Sequence, residues 1–295
     1  MFDIFKEIAP QLKENEPMSV HTSFKIGGPA DMFVRAESPD QLIKLIRTAR
    51  ETDTSYMVIG NGSNMLVADG GIRGLVIQIG MSDIRVSGNE ITAGAGALMS
   101  RVAAEAARAG LSGFETLSGI PGSLGGGLYM NAGAYGGEIK NVVKTVTYID
   151  AEGELHTIDR DECGFGYRTS VFSKGRKVIV SAILELRKGE ESEIRRAMAD
   201  YNKRRSDKQP LAFPSAGSVF KRPEGHFAGA LIEGAGLKGY RIGGAEVSEL
   251  HAGFIINRGG ATAKDVLALI EHIRKTVKEQ YGVELEPEIR LIGEE

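Results

Sequence analysis

A mixed α+β fold in more than one domain is predicted from three observations. Strand-like and helix-like stretches alternate through the first part of the chain, where hydrophobic spacing switches between periods of about 2 and 3.6. Composition shifts around Gly189–Gln209, where a charged run ends at a proline. At 295 residues the chain is long enough for two domains, or three small ones, each burying a core.

The elements follow in order. Residues 1–19 read as a short amphipathic helix and a connector, and His21–Asp31 begins as a strand that breaks at Gly27-Gly28-Pro29. Ser38 can cap the next helix, Pro39 suits its first turn, and Leu42, Ile43, Ile46 and Ala49 give it an apolar face. Tyr56–Ile59 is a buried-type strand that runs into Gly60-Asn-Gly-Ser-Asn64, and Leu75–Ile79 is another. After the strand Glu90–Ala93, a helix from about Leu98 to Ala109 ends at Gly110. Val142–Asp150 and Glu154–Ile158 read as an antiparallel pair, and Lys177–Leu186 as a long strand. Glu190–Arg205 is a charged helix with Ile194, Ala197, Met198 and Tyr201 on its apolar face, and Lys203–Lys208 reads as a solvated charge run. Beyond the junction come a short helix Phe227–Glu233, a strand Gly253–Asn257 and a helix capped by Thr262 and Asp265. Gly282 ends that helix, and the chain closes on a strand Val283–Ile292.

Glycine organises the middle of this pattern. The chain holds 39 glycines in 295 residues, about 13% against a usual share of roughly 7%. Nine fall between Leu111 and Lys140, a density that weakens helix or strand unless backbone N–H groups approach a ligand, most often an anion. Phe114, Leu117, Ile120, Leu124 and Tyr129 interrupt the run, so it is not a flexible linker. A ligand-cradling loop system is expected there.

Composition narrows the function. A net charge of −3 suggests no nucleic-acid partner. No apolar run approaches the roughly 20 residues that cross a bilayer, and residues 1–17 lack a signal-peptide core. With Cys163 as the one cysteine no intrachain disulfide forms, and a cytoplasmic location is expected. The five histidines show no zinc-ligand spacing, so no metal is expected. The chain has no GxxxxGK[ST] and no GxSxG, and Gly94-Ala-Gly96 lacks the third glycine of a Rossmann fingerprint. What remains is a phosphate-rich ligand held by non-Rossmann glycine loops at 60–64 and 119–137.

The combined segments carry a resemblance. They are His21-Thr-Ser-Phe with Ile26-Gly-Gly28, Gly60–Asn64, Ser118-Gly-Ile-Pro-Gly122, Asn131-Ala-Gly-Ala-Tyr-Gly136, Gly166-Tyr-Arg-Thr-Ser170, Gly217–Lys221, Gly239–Gly244 and Leu285–Arg290. In this order, over about residues 20–292, the chain resembles the UDP-N-acetylenolpyruvoylglucosamine reductases, the MurB family of peptidoglycan precursor synthesis and hence of cell-wall formation, cell shape and division. The resemblance implies a vanillyl-alcohol-oxidase/PCMH-like FAD-binding fold in two lobes, residues 1–72 and 73–202. It adds a C-terminal α+β substrate domain, 203–295, whose last strand returns toward the flavin. It also implies FAD as cofactor, NADPH as co-substrate and a small nucleotide-sugar substrate; a monomer is expected.

By the same resemblance, hydride passes from NADPH through the flavin to the methylene carbon of an enolpyruvyl ether, and a proton then reaches the carbon beside the carboxylate. Arg168 matches the family's carboxylate-facing arginine, Ser218 its proton donor and Glu288 its glutamate. Flavin contacts are implied for Gly60, Asn61, Gly62, Ser63, Asn64, Gly119, Pro121, Gly122, Ser123, Gly126, Asn131, Ala132 and Gly136. Substrate contacts are implied for Tyr167, Lys208 and Lys221, and either lysine could polarise Ser218. Arg222 departs from a frequent asparagine. The direct run from Arg168 into Lys177–Leu186 lacks an inserted tyrosine loop, as in the short-loop branch. Cys163 reads as packing. Two other readings compete: a sugar or alcohol oxidase of the same flavin superfamily, and a nucleotide-sugar-binding protein without catalysis.

Overall fold

The structure is a computed structural model and describes residues 2–294. The chain forms two compact units. Unit 1 holds the residues up to Lys13, Met32–Asn61 and Leu75–Arg205; unit 2 holds Glu14–Asp31, Gly62–Gly74 and the chain from Ser206 onward.

Unit 1 is built on two sheets. Tyr56–Ile59 pairs in parallel with Ile72–Ile79, matching Tyr56 to Leu75 and Ile59 to Gln78. The second sheet is antiparallel and five-stranded, in the order Leu155–Asp159, Val143–Ile149, Val178–Glu185, Glu90–Gly94 and Ile84–Ser87. Helices α1 (Phe2–Ile8), α2 (Pro39–Glu51), α3 (Met99–Arg108), α4 (Leu124–Tyr129) and α5 (Glu191–Lys208) accompany them. Leu42, Leu45 and Ile46 of α2 and Val102, Ala103 and Ala106 of α3 enter one core with Leu75, Ile77, Ile91 and Leu184 from the sheets. Ser38 caps α2 as expected, its hydroxyl accepting from Gln41 N with Pro39 in the first turn.

Unit 2 has its own core around α6 (Ala228–Gly234) and α7 (Ala263–Tyr281), where Val266, Leu269, Ile273 and Val277 meet Phe24, Leu66, Val219 and Leu285. Thr262 and Asp265 form the expected capping box, and Gly282 closes α7 in the left-handed region at φ 69°. Asp69 adds a cap from almost two hundred residues away: its carboxylate accepts from Ala263 N at 2.8 Å and Lys264 N at 3.0 Å. A negative charge there also suits the positive end of the helix dipole.

Three expectations are corrected. Residues 21–28 form no strand; the strand begins at Pro29. Lys25 at φ 54° and Gly27 at φ 143° turn the backbone out of the extended region. The closing strand shrinks from Val283–Ile292 to Arg290–Ile292, which pairs in parallel with Met65–Val67. Pro287 cannot donate to a ladder, and a single bridge to Phe220 replaces one. The glycine stretch is not all loop, because Leu124–Tyr129 is helical through Gly125-Gly126-Gly127. Close packing accounts for that helix: a Cβ on Gly125 would lie 2.9 Å from Ala95 Cβ, and one on Gly127 would lie 3.2 Å from Met99 Sδ.

Candidate active site

The glycine loops in unit 1 frame a cavity of about 210 Å³ whose walls include Gly60, Asn61, Gly96, Arg101 and Ser123. Three of these, Gly60, Asn61 and Ser123, are residues the sequence singled out. The loops are joined by Asn61, whose Nδ2 donates to Pro121 O at 2.6 Å, and the first is tied to the strand Ile72–Ile79 by Gln78, whose Nε2 donates to Gly60 O at 3.3 Å. A Cβ on Gly60 would lie 2.4 Å from Ser123 Oγ, so a side chain there would close the approach of the two loops. Ser123 in turn accepts from Gly126 N at 3.4 Å and caps α4. Gly122 O accepts from Met99 N at 3.1 Å. Ser118 is buried, and its Oγ has no hydrogen-bond partner among the described residues. A buried hydroxyl left unpaired costs about 1–3 kcal/mol, so this one fits a ligand acceptor or donor.

Asn131 ties the glycine stretch to the arginine turn, and Ala132 binds within the stretch. Asn131 is fully buried and sits at φ 44°. Its Nδ2 donates to Gly166 O at 3.0 Å and to Glu138 at 3.3 Å, while its Oδ1 accepts from Lys140 N at 3.2 Å. Ala132 N donates to Gly127 O at 2.8 Å. Gly136 stands in an open turn at φ 82°. Arg168 is the third residue of a turn closed by Gly166 N donating to Thr169 O at 3.0 Å. Its φ of 53° is a conformation usually left to glycine or asparagine at this turn position. The guanidinium carbon stands 5.3 Å from the ring of the exposed Tyr167. The hydrogen bond from Lys140, with Asn131 and the Arg168 charge nearby, holds Glu138 below the usual carboxylate range.

In unit 2 the structure brings Ser218 and Glu288 onto adjacent segments. Ser218 bridges Phe254, and Val219 N donates to Gly253 O at 2.9 Å. On the other side Val219 O accepts from Glu288 N at 2.7 Å, and Lys221 N donates to Glu286 O at 2.9 Å. Asn64, next to Ser63, clasps this segment from both ends: its Nδ2 donates to Glu288 O at 3.2 Å and its carbonyl accepts from Arg290 N at 3.1 Å. Gly62 at φ 64° lies so close to the His21 carbonyl that a Cβ would approach it to 2.1 Å. Ser218 is exposed and Glu288 half-buried. Lys221 is ion-paired with Glu286, and Lys208 is exposed at the end of α5. Cys163 is buried, its Sγ donates to Asp159 O at 3.4 Å, and burial pushes its thiol up to about 12, which agrees with packing. No cluster of metal-ligating side chains occurs among the described residues, and no helix is long and apolar enough to cross a membrane.

Sequence reasoning missed Arg101 and Arg205. Arg101 follows Gly94-Ala-Gly96, whose pattern signals no more than an incomplete Rossmann fingerprint. Arg205 lies in the charge run Lys203–Lys208, yet its spacing from Ile194, Met198 and Tyr201 puts it on the inner stripe of α5.

Comparison with known proteins gives two family matches. Residues 30–159 match an FAD binding domain, and residues 209–292 match the C-terminal domain of UDP-N-acetylenolpyruvoylglucosamine reductase. The reductase of that name from Pediococcus pentosaceus is 50% identical over 294 residues, covering 99% of this chain and 97% of the relative. The one from Caldanaerobacter subterraneus is 50% identical over 297 residues, covering 100% and 98%. The crystal structure of the Thermus caldophilus enzyme is 37% identical, covers 95% of this chain and 99% of its own, and aligns with a TM-score of 0.83. The α+β flavin-binding class with a C-terminal domain, expected from the sequence, is thereby shown, and the unit 1 cavity with its close-packed glycine loops suits part of a flavin dinucleotide.

Proposed function

Because the chain belongs to the UDP-N-acetylenolpyruvoylglucosamine reductase family, we propose that it reduces the enolpyruvyl ether of UDP-N-acetylglucosamine-enolpyruvate to UDP-N-acetylmuramate. NADPH is the reductant, and the product feeds peptidoglycan synthesis. The observation that carries this is identity near 50% along essentially the whole chain, not over one domain. In the same reading residues 1–72 and 73–202 form the flavin-holding lobes and 203–295 the substrate domain, in a monomeric cytoplasmic enzyme.

Bound FAD, once reduced by hydride from NADPH, would supply the hydride that adds to the methylene carbon. The chain's own residues do the rest. As hydride adds, negative charge builds on the substrate carboxylate, and Arg168 opposes it. A guanidinium offers a planar two-point contact to a carboxylate. Ser218 delivers a proton to the carbon beside that carboxylate, so the net change is one hydride and one proton across the double bond. A serine hydroxyl is a weak acid and needs a polarising neighbour. Glu288 stands one ladder position away and stabilises the same developing charge as a hydrogen-bond donor when protonated. Gly60–Asn64 and Gly119–Gly136 hold the cofactor, and Tyr167, Lys208 and Lys221 contact the nucleotide sugar.

Purified protein reconstituted with FAD tests this directly. It should be yellow and should consume NADPH only when the enolpyruvyl nucleotide sugar is present. Colourless protein that binds the sugar nucleotide without turnover would favour a binding protein instead. NADPH-independent oxidation of a sugar would favour an oxidase.

A further inference from the structure

Helix α5 carries a cation where its packing asks for an apolar group. Its inner stripe runs Ile194, Met198, Tyr201 and Arg205, at spacings that keep all four on one face. Ile194 is buried, Met198 packs on the unit 1 core, and the Tyr201 ring stacks on Tyr135 at 5.1 Å. Arg205 continues the stripe and is half-buried. It faces the glycine loop: a Cβ on Gly119 would meet Arg205 Cδ at 3.1 Å and Asn202 Oδ1 at 2.6 Å. Among the described residues no carboxylate pairs with it, and burial lowers its affinity for a proton with only the Tyr135 hydroxyl acting against that. A half-buried guanidinium that no carboxylate satisfies offers its planar fork to an incoming anion. Tyr135 is held at φ 52° with one face against Tyr201, and 42% of it stays exposed.

Resting on the reductase reading, we propose that Arg205 is an anion anchor for the diphosphate of a bound nucleotide, set beside Gly119 by the Tyr135–Tyr201 stack. The diphosphate could be that of the flavin or that of the nucleotide sugar; both present the same oxygens to a planar fork, so the experiment separates them. Arg205 moves no proton in this role and is a positioning residue.

The test titrates the full-length protein and its Arg205→Gln and Arg205→Lys variants. One arm measures binding of FAD to the apoprotein by flavin fluorescence. The other measures binding of UDP-N-acetylglucosamine to the FAD-loaded protein by calorimetry. Arg205→Gln is expected to weaken one of the two by about ten- to a hundredfold, the worth of a hydrogen bond to a charged group. Arg205→Lys should fall between, because a point charge lacks the fork. Loss in the FAD arm makes the anchor a cofactor contact; loss only in the second arm makes it a substrate contact. Both affinities within twofold of wild type, with circular dichroism and Tm unchanged, would reduce Arg205 to packing and overturn the proposal. If Arg205→Gln does not fold, the Lys variant decides, since unchanged affinities there overturn the proposal equally. Wild-type protein that binds neither ligand would instead sink the reductase reading itself.

Discussion

Arg168 and the Ser218–Glu288 pair are held in place by opposite means. Arg168 sits at the tip of a four-residue turn at φ 53°, where a side chain costs about 1–2 kcal/mol. Ser218 and Glu288 sit on nearly extended segments secured by backbone hydrogen bonds and by the Asn64 clasp. Strain aims one group and a ladder aims the others. A strained tip places a long, charged side chain in one direction without a strand behind it. A ladder fixes small groups through the backbone and costs no strain.

The largest expected effects test whether all three act on the reaction. Arg168→Ala and Ser218→Ala should each retain bound flavin, with an unchanged visible spectrum, and lose turnover of the enolpyruvyl substrate by on the order of 10²–10³. Glu288→Gln should lose less than Glu288→Ala, because an amide still donates a hydrogen bond. Wild-type kcat in Ser218→Ala would remove it as proton donor and leave the ladder a structural feature.

The Asn64 clasp sharpens the comparison one step further down. Asn64→Ala removes the bond to Glu288 O but leaves the backbone bond to Arg290. It should cost about 1 kcal/mol in urea unfolding and lower kcat several-fold without touching Arg168. A fall confined to stability, with kcat intact, would show that Glu288 is placed by the ladder alone.

Cys163 is a control outside both devices. Its folded thiol is raised to about 12, so between the ordinary thiol range near 9 and about 12 the unfolded state has lost a proton that the native state keeps. Stability from this group is complete below pH 9 and falls with rising pH, by about 1.4 kcal/mol per pH unit in that window. Urea midpoints at pH 8.5 and 10.5 should diverge more in wild type than in Cys163→Ala; equal divergence would mean that the thiol is not the group responsible.

What the sequence made legible was local. Ser38 with Pro39, the Thr262–Asp265 box and Gly282 depend on neighbours within a few residues, and the caps form where expected. Family motifs marked Arg168, Ser218 and Glu288, but not the devices that aim them. The Asp69 cap on α7 joins residues 194 positions apart, and no spacing rule reports a contact of that kind. Glycine density at 124–129 argued against helix because propensity treats glycine as a cost, whereas close packing against Ala95 and Met99 decides it. Arg205 was hidden for a related reason: in a run of charges, the one residue on the inner stripe looks like the rest.

The smallest effect is the most direct measure of strain. At most positions alanine is more stable than glycine by about 0.5–1 kcal/mol, because glycine leaves more freedom in the unfolded chain. At φ 53° the sign should reverse. Arg168→Gly and Arg168→Ala lose the same guanidinium and whatever it touches, so their difference isolates the backbone. The glycine variant should be the more stable by up to about 1 kcal/mol, read as a shift in urea midpoint at constant m-value. Both variants should be equally inactive, which separates the energy stored in the turn from the chemistry it serves. If alanine proves the more stable, the turn relaxes once the arginine is gone, and the positive φ is a consequence of the contacts of Arg168 instead of their cause.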